Sequence, residues 1–205
     1  MKREVNIEDT SRANAFKLWM TSPMPMVTLT RTFNVTKLIK ASKKRGIKFN
    51  ALLCWCIGKA ASNIKEFYIL PEKDKLFKYD SIAINVIVNN SQGGINSCDI
   101  AYTDNAEEFA KEYNKQTAQV AAQCKSSFLE DSMIVGTSAM IETELDSIVN
   151  QYTDKFCNPM VMWGKYRRNW LSTTLPISFQ FHHVQMDGGH GASFLEKLQQ
   201  VINEL

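Results

Sequence analysis

Residues 175–198, LPISFQFHHVQMDGGHGASFLEKL, constrain the fold more than any other stretch of the chain. Leu175, Ile177, Phe179 and Phe181 alternate with Pro176, Ser178, Gln180 and His182. Side chains on a strand point to opposite faces with period two, so this is a strand with one strongly apolar face. Continued one step, the alternation puts His183 inward at the strand end, behind four apolar residues, and His182 on the other side. Asp187-Gly188 then forms a turn that Gly189 and Gly191 loosen. From Gly191 to Leu205 the spacing of Leu195, Leu198, Ile202 and Leu205 predicts a helix with one apolar stripe. A strand, a glycine-rich turn and a helix of this kind bury their apolar sides only in a layered domain of sheet and helix.

The remainder of the chain reads consistently with that. Thr36 to Arg45 is a short basic helix stopped by Gly46. Asn50 can cap the next helix, where Leu53, Cys56, Ile57, Ala60, Ala61 and Ile64 recur at helical spacing. Leu76–Tyr79 and the β-branched run Ile82–Val88 read as strands, followed by a turn at Ser91–Gly94. Residues 104–125 read as a longer helix, and 133–139 and 160–166 as further strands. Strands and helices mix without regular βαβ alternation. The expected fold is α+β, a two-layer sandwich with a large mixed β-sheet and helices packed on one face. No repeat or linker divides the chain, so residues 1–205 are expected to form a single domain.

Composition excludes some function classes. A net charge of +3, from 24 basic and 21 acidic residues, gives no argument for nucleic acid or an anionic membrane as partner. The five cysteines are odd in number and include no C-x-x-C pair, which favours a reducing compartment over disulfides or zinc. MKREVNIEDT lacks the apolar core of a signal peptide, and no apolar run approaches the roughly 18 residues of a membrane span. The expected location is the cytoplasm.

The residues that carry chemistry have two readings. A histidine at the end of an apolar strand face is a candidate general base, because its unperturbed pKa lies near neutrality. It is equally a satisfied core histidine, with Asp187 as a helix N-cap. Metal binding is disfavoured: His182 and His183 point to opposite faces and could hold one ion only after local distortion. No Walker or Rossmann phosphate loop is present.

HHVQMDG fits the HHxxxDG signature of the chloramphenicol acetyltransferases, and a looser HxxxDG form occurs in the catalytic domains of dihydrolipoyl acyltransferases. WGKYRRNWLSTTLPISFQFHH resembles the family's strand pair ending in HH, and GTSAMIETELDSI its serine-containing segment. SRANAF and KASKKRGIKF are similar to its N-terminal arginine and first lysine regions. The likeness covers most of the chain and is weakest from about Asn90 to Asp131. It implies direct acetyl transfer from acetyl-CoA to an acceptor hydroxyl, chloramphenicol or similar, with antibiotic resistance as the associated role. His183 matches the catalytic base and Ser138 the hydroxyl that stabilises the oxyanion. Asp187 matches a structural carboxylate paired with Arg12. Lys48 and Lys165 match positions near the coenzyme phosphates and Tyr166 one that stacks on the adenine. Leu18, Trp19, Pro23 and Pro25 match the wall of the acceptor pocket. A homotrimer with active sites between subunits is also implied.

The chain departs from the family pattern where Met162 replaces a threonine, Asn50 replaces a tyrosine, and Met140-Ile141-Glu142 follow Ser138. The transfer machinery is kept better than the acceptor pocket. Two other readings on the same fold are a dihydrolipoyl acyltransferase-like core and a non-catalytic binding protein. Against the first, the chain lacks a lipoyl domain and a flexible Ala/Pro linker. Against the second, His183, Ser138, Asp187 and Arg12 occur together.

Overall fold

A computed structural model describes residues 1–153 and 155–205. The chain opens with β1 (Lys2–Val5) and the short helix α1 (Ala13–Trp19), then β2 (Met26–Asn34), α2 (Thr36–Arg45) and α3 (Phe49–Ser62). Strands β3 (Ile69–Glu72), β4 (Lys75–Tyr79), β5 (Ile82–Asn89) and β6 (Ile95–Ala101) follow, and then α4 (Ala106–Gln123). Strands β7 (Met133–Met140), β8 (Met160–Gly164), β9 (Arg167–Arg168) and β10 (Thr173–His182) lead to α5 (Gly188–Glu204).

The main sheet has seven strands in the order β2-β10-β8-β7-β5-β6, with β9 paired to β10. It is mixed: β5–β7 and β7–β8 are parallel and the other pairs antiparallel. Helices pack on one face, as expected. A small sheet, β1-β4-β3, stands apart; of its strands only β4 was legible in the sequence, as Leu76–Tyr79.

Local chemistry explains most element ends. Gly46 closes α2 with φ of 65°, a left-handed conformation that suits glycine. Asn105 caps α4 by accepting from the backbone N–H groups of Glu107 and Glu108. Asn50 does not cap α3; Lys48 is its N-cap and Asn50 lies in the first turn, because the Lys48 carbonyl already accepts from Leu52 N. α3 is apolar on almost every side, and it is buried accordingly among the sheet, α4 and α5. The core centres on Phe67, Phe179, Phe181 and Phe194, with ring centroids 4.4–5.8 Å apart. Gly191 lets α5 approach β10: a Cβ there would lie 2.6 Å from Phe181 Cε1.

Register assigns the two faces of the sheet. Phe179 packs against Phe194 of α5, with the rings tilted, and so marks the helix side. Ser178, Gln180 and His182 therefore point to the helix-free side, yet each is at most 2% exposed. The long segment between β7 and β8 covers the first two: Ile148 N donates to Ser178 Oγ at 2.9 Å and Gln180 Nε2 to the Asn150 carbonyl at 3.1 Å.

Candidate active site

Strand pairing on β10 ends at His182, which lies opposite Met26. The sequence alternation extrapolated one residue too far. His183 is not enclosed among the phenylalanines; its side chain is 29% exposed, and the fully buried histidine is His182. The physical reason is the end of the ladder: His183 N donates to Pro25 O at 2.8 Å, and the backbone then turns.

His182 holds that turn. Its Nδ1 accepts from Val184 N at 3.1 Å and its carbonyl from Gln185 N at 2.9 Å. An accepting Nδ1 carries no proton, so the ring is the neutral Nε2–H tautomer. Burial, aided by the neighbouring His183, pushes its pKa down to about 4. The folded value lies below the unfolded one, about 6.5. The neutral ring's contribution is therefore complete above the unfolded value and is lost as pH falls toward the folded one. Urea unfolding is expected to give falling stability from pH 7 to pH 4.5. His182→Asn, whose amide oxygen can still accept from Val184 N, should flatten that slope; an unchanged slope would contradict the assignment.

Arg12 ties the same turn to the N-terminal segment. It is 4% exposed. Its Nε donates to Val184 O at 2.8 Å, and Nη2 donates to His183 O at 2.7 Å. The two Nη atoms also meet both oxygens of Asp187 at 2.7 and 2.8 Å, the bidentate fork that favours arginine. Hydrogen bonding from Arg12 holds the Asp187 carboxyl below its ordinary range. Asp187 is also the N-cap residue of α5, and its N–H donates to His190 Nδ1 at 3.1 Å. The two roles foreseen for Asp187, helix cap and arginine partner, coexist.

The His183 ring stacks on Trp19 with centroids 4.7 Å apart and planes 5° from parallel. Its Nδ1 is enclosed, lies 3.4 Å from Asp187 Oδ1, and lacks the alignment of a hydrogen bond. Leu18 is 69% exposed, Trp19 36%, and Pro23 is also exposed, while Pro25 is buried. Within one chain these residues do not enclose a pocket. They form an apolar surface beside His183, because α1 buries no residue of its own.

Ser138 lies elsewhere on the sheet. In register it sits opposite Met162, and Met162 opposite Ser178. From Ser178 to His183 is five residues along β10, and from β10 to β7 is two strand spacings. Ser138 and His183 are therefore roughly 20 Å apart in one chain. Ser138 lines a cavity of about 320 Å³, and its hydroxyl has no hydrogen-bond partner among the described residues. Cys54, in the same wall, is no nucleophile: burial pushes its thiol up to about 12.

The sequence-predicted coenzyme residues do converge. Lys48, Lys165 and Tyr166 line one cavity of about 510 Å³. It shares Asn50, Tyr113 and Trp163 with the cavity of Ser138. Among the described residues neither lysine has an ion-pair partner. Lys48 is also the N-cap of α3, a 14-residue helix with no acidic residue in its first turn. Two free ammonium groups and a helix N-terminus make this mouth electropositive. Tyr166 is flanked by Phe49, with centroids 5.5 Å apart, and by the Arg168 guanidinium 5.2 Å over its ring.

Sequence reasoning missed a further cavity of about 390 Å³ on the helix-free face, lined by Asn85, Asp99, Gly136, Met160 and Gln180 among others. One signal was available: Asp99 stands between Cys98 and Ile100 in a strand, and a carboxylate so placed is rarely buried without a purpose.

The chloramphenicol acetyltransferase family model matches residues 2–199. Chloramphenicol acetyltransferase 2 from Escherichia coli is 21% identical over 98% of this chain and 97% of its own length. Chloramphenicol acetyltransferase 3 from the same species is 24% identical, over 85% of this chain and 84% of its own. A solved chloramphenicol acetyltransferase superposes with a TM-score of 0.85 at 18% identity, covering 98% of this chain and 100% of that one. The truncated catalytic core of a 2-oxoacid dehydrogenase multienzyme complex from Thermoplasma acidophilum gives a TM-score of 0.71 at 16% identity, covering 98% and 99%. Among the described residues no helix is long and apolar enough to cross a membrane. With a match over nearly its whole length and the same fold, this chain belongs to the chloramphenicol acetyltransferase family.

Proposed function

We infer that the protein transfers an acetyl group from acetyl-CoA to the hydroxyl of a small acceptor, chloramphenicol or a similar alcohol. The observation that carries this reading is the adjacency of two cavities. The electropositive cavity at Lys48, Lys165 and Tyr166 shares a wall, including Asn50, Tyr113 and Trp163, with the cavity lined by Ser138. A phosphate-bearing thioester fits that pair, with its phosphates at the mouth and its carbonyl at the serine.

The reaction balances as one displacement. His183 takes the proton of the acceptor hydroxyl. The hydroxyl oxygen bonds to the thioester carbon, and the resulting oxyanion receives a hydrogen bond from Ser138. The C–S bond then breaks, and the proton passes from His183 to the sulfur as free coenzyme A departs. Nδ1 of His183 is enclosed, which leaves Nε2 to carry the proton. Arg12 and Asp187 act on the turn that presents this ring and do not touch the proton.

Ser138 and His183 stand too far apart in one chain to meet at one carbon. The proposed assembly is a homotrimer in which His183 of one subunit faces Ser138 of the next, over the apolar surface at Leu18 and Trp19. A single domain in the cytoplasm completes the reading.

The assay is release of free coenzyme A from acetyl-CoA with chloramphenicol present. Turnover supports the reading. Absence of both turnover and acetyl-CoA binding would contradict it. Ser138→Ala should lower kcat about 10²–10³-fold, the range for loss of one oxyanion donor, with acetyl-CoA affinity retained. An unchanged kcat would remove Ser138 from the mechanism.

A further inference from the structure

We propose that the acceptor of this protein carries a cationic ammonium group, received by Asp99 in the cavity on the helix-free face of the sheet. The inference rests on the transferase reading for its covalent step, and on the cavity alone for its charge.

Pairing across the main sheet makes one row: Asp99 opposite Asn85, Asn85 opposite Gly136, Gly136 opposite Met160, and Met160 opposite Gln180. Neighbours in such a row point to the same face, and all five residues line the cavity of about 390 Å³. The next row on that face carries Ser138 and Met162, about 7 Å away along the strands. The cavity therefore opens beside the proposed oxyanion donor. Across β7, β5 and β6, Ser138 and Asp99 are roughly 12 Å apart at the backbone.

The cavity is lined mainly by apolar surface, into which one carboxylate and several amides are set. Asp99 is 5% exposed and is the sole charged residue among those described in the lining. Its Oδ1 accepts from Asn85 Nδ2 at 2.6 Å and its Oδ2 from the Leu129 backbone N–H at 2.9 Å. Both donors are neutral, and no cation pairs with Asp99 among the described residues. A carboxylate has about four acceptor sites, so capacity remains for a ligand. Gln180 adds a second, independent sign. It is 2% exposed, both of its amide hydrogens are directed at Thr28 and Asn150, and its Oε1 has no partner. The two acceptors stand at opposite ends of the row, roughly 19 Å apart at the backbone, so each calls for its own hydrogen-bond donor, and the charged one is Asp99. A buried anion without a counter-ion calls for a positive one. Phe128 and Phe156, which line the same cavity and are 66% and 67% exposed, supply apolar contact for the carbon skeleton between ammonium and hydroxyl.

The test uses three alcohols of equal chain length on the full-length protein: 8-aminooctan-1-ol, octan-1-ol and 8-hydroxyoctanoate. Calorimetric titration into the native protein should rank them ammonium, neutral, carboxylate, with the ammonium alcohol bound about tenfold or more tighter than octanol. Asp99→Asn, which still accepts from Leu129 N, should bring the first two level while acetyl-CoA affinity stays unchanged. Equal binding of ammonium and neutral alcohols to the native protein would overturn the proposal, as would an ammonium preference that survives Asp99→Asn. If that variant does not fold, the native ranking alone decides. Acetyl ester formation on the same alcohols is read separately. Ranked binding without ester would refute the transferase reading and keep the cationic site. Ester formed with no ranking would do the reverse.

Discussion

His183→Ala is expected to lower acetyl transfer by about 10²–10⁴-fold, the usual contribution of a positioned general base. Little stability should be lost, because the ring is part-exposed and is held by stacking on Trp19 and not by core packing. Acetyl-CoA affinity should be unchanged, since the electropositive cavity lies at Lys48, Lys165 and Tyr166, far along the sheet. A fall in kcat with folding and acetyl-CoA affinity both kept separates a base from a scaffold residue. A variant with full turnover would remove His183 from the mechanism.

Arg12→Ala is expected to have the largest effect on stability, a loss of about 2–5 kcal/mol by urea unfolding, from about 1–3 kcal/mol for each of two carbonyls left without a donor. This one side chain donates four hydrogen bonds, two to the His183 and Val184 carbonyls and two to Asp187. Asp187 is half-exposed and can be rehydrated, so most of the loss falls on the two carbonyls left without a donor. Arg12→Lys should recover only part, because an ammonium cannot reproduce the fork. The gap between native and Arg12→Ala proteins should also narrow in acid. Asp187 has a lowered folded pKa, so its contribution is present above the ordinary carboxylate range and disappears as pH falls through the folded value. A gap that is constant from pH 7 to pH 3 would contradict the pairing account.

The sequence spoke clearly where local pattern and tertiary burial agree. β10 showed its period-two face because that face alone meets the helices, and α2 showed its end because Gly46 adopts a left-handed conformation. The alternation misled at His183 because period two holds only while the ladder continues, and the ladder stops at His182. β2 was missed because MVTLTRTFN is half threonine and polar residues, its burial being partial along most of its length. β6 was missed because Asn96 and Asp99 interrupt it, and Asp99 faces a cavity on the far side of the sheet. That cavity is itself a row across several strands. Residues joined only by strand pairing leave no periodic trace in the chain. The same holds for the separation of Ser138 and His183: both were identified by resemblance, yet their distance follows from register.

Subunit complementation tests the proposed two-chain site most directly. His183→Ala and Ser138→Ala chains, each nearly inactive alone, are co-refolded in equal amounts and assayed for coenzyme A release. If His183 of one subunit serves Ser138 of the next, random mixed trimers should regain about a quarter of native activity, since one interface in four receives both intact residues. If the mixture is no more active than the two variants apart, although mixed oligomers form, the site is not shared between chains and the mechanism built on it fails.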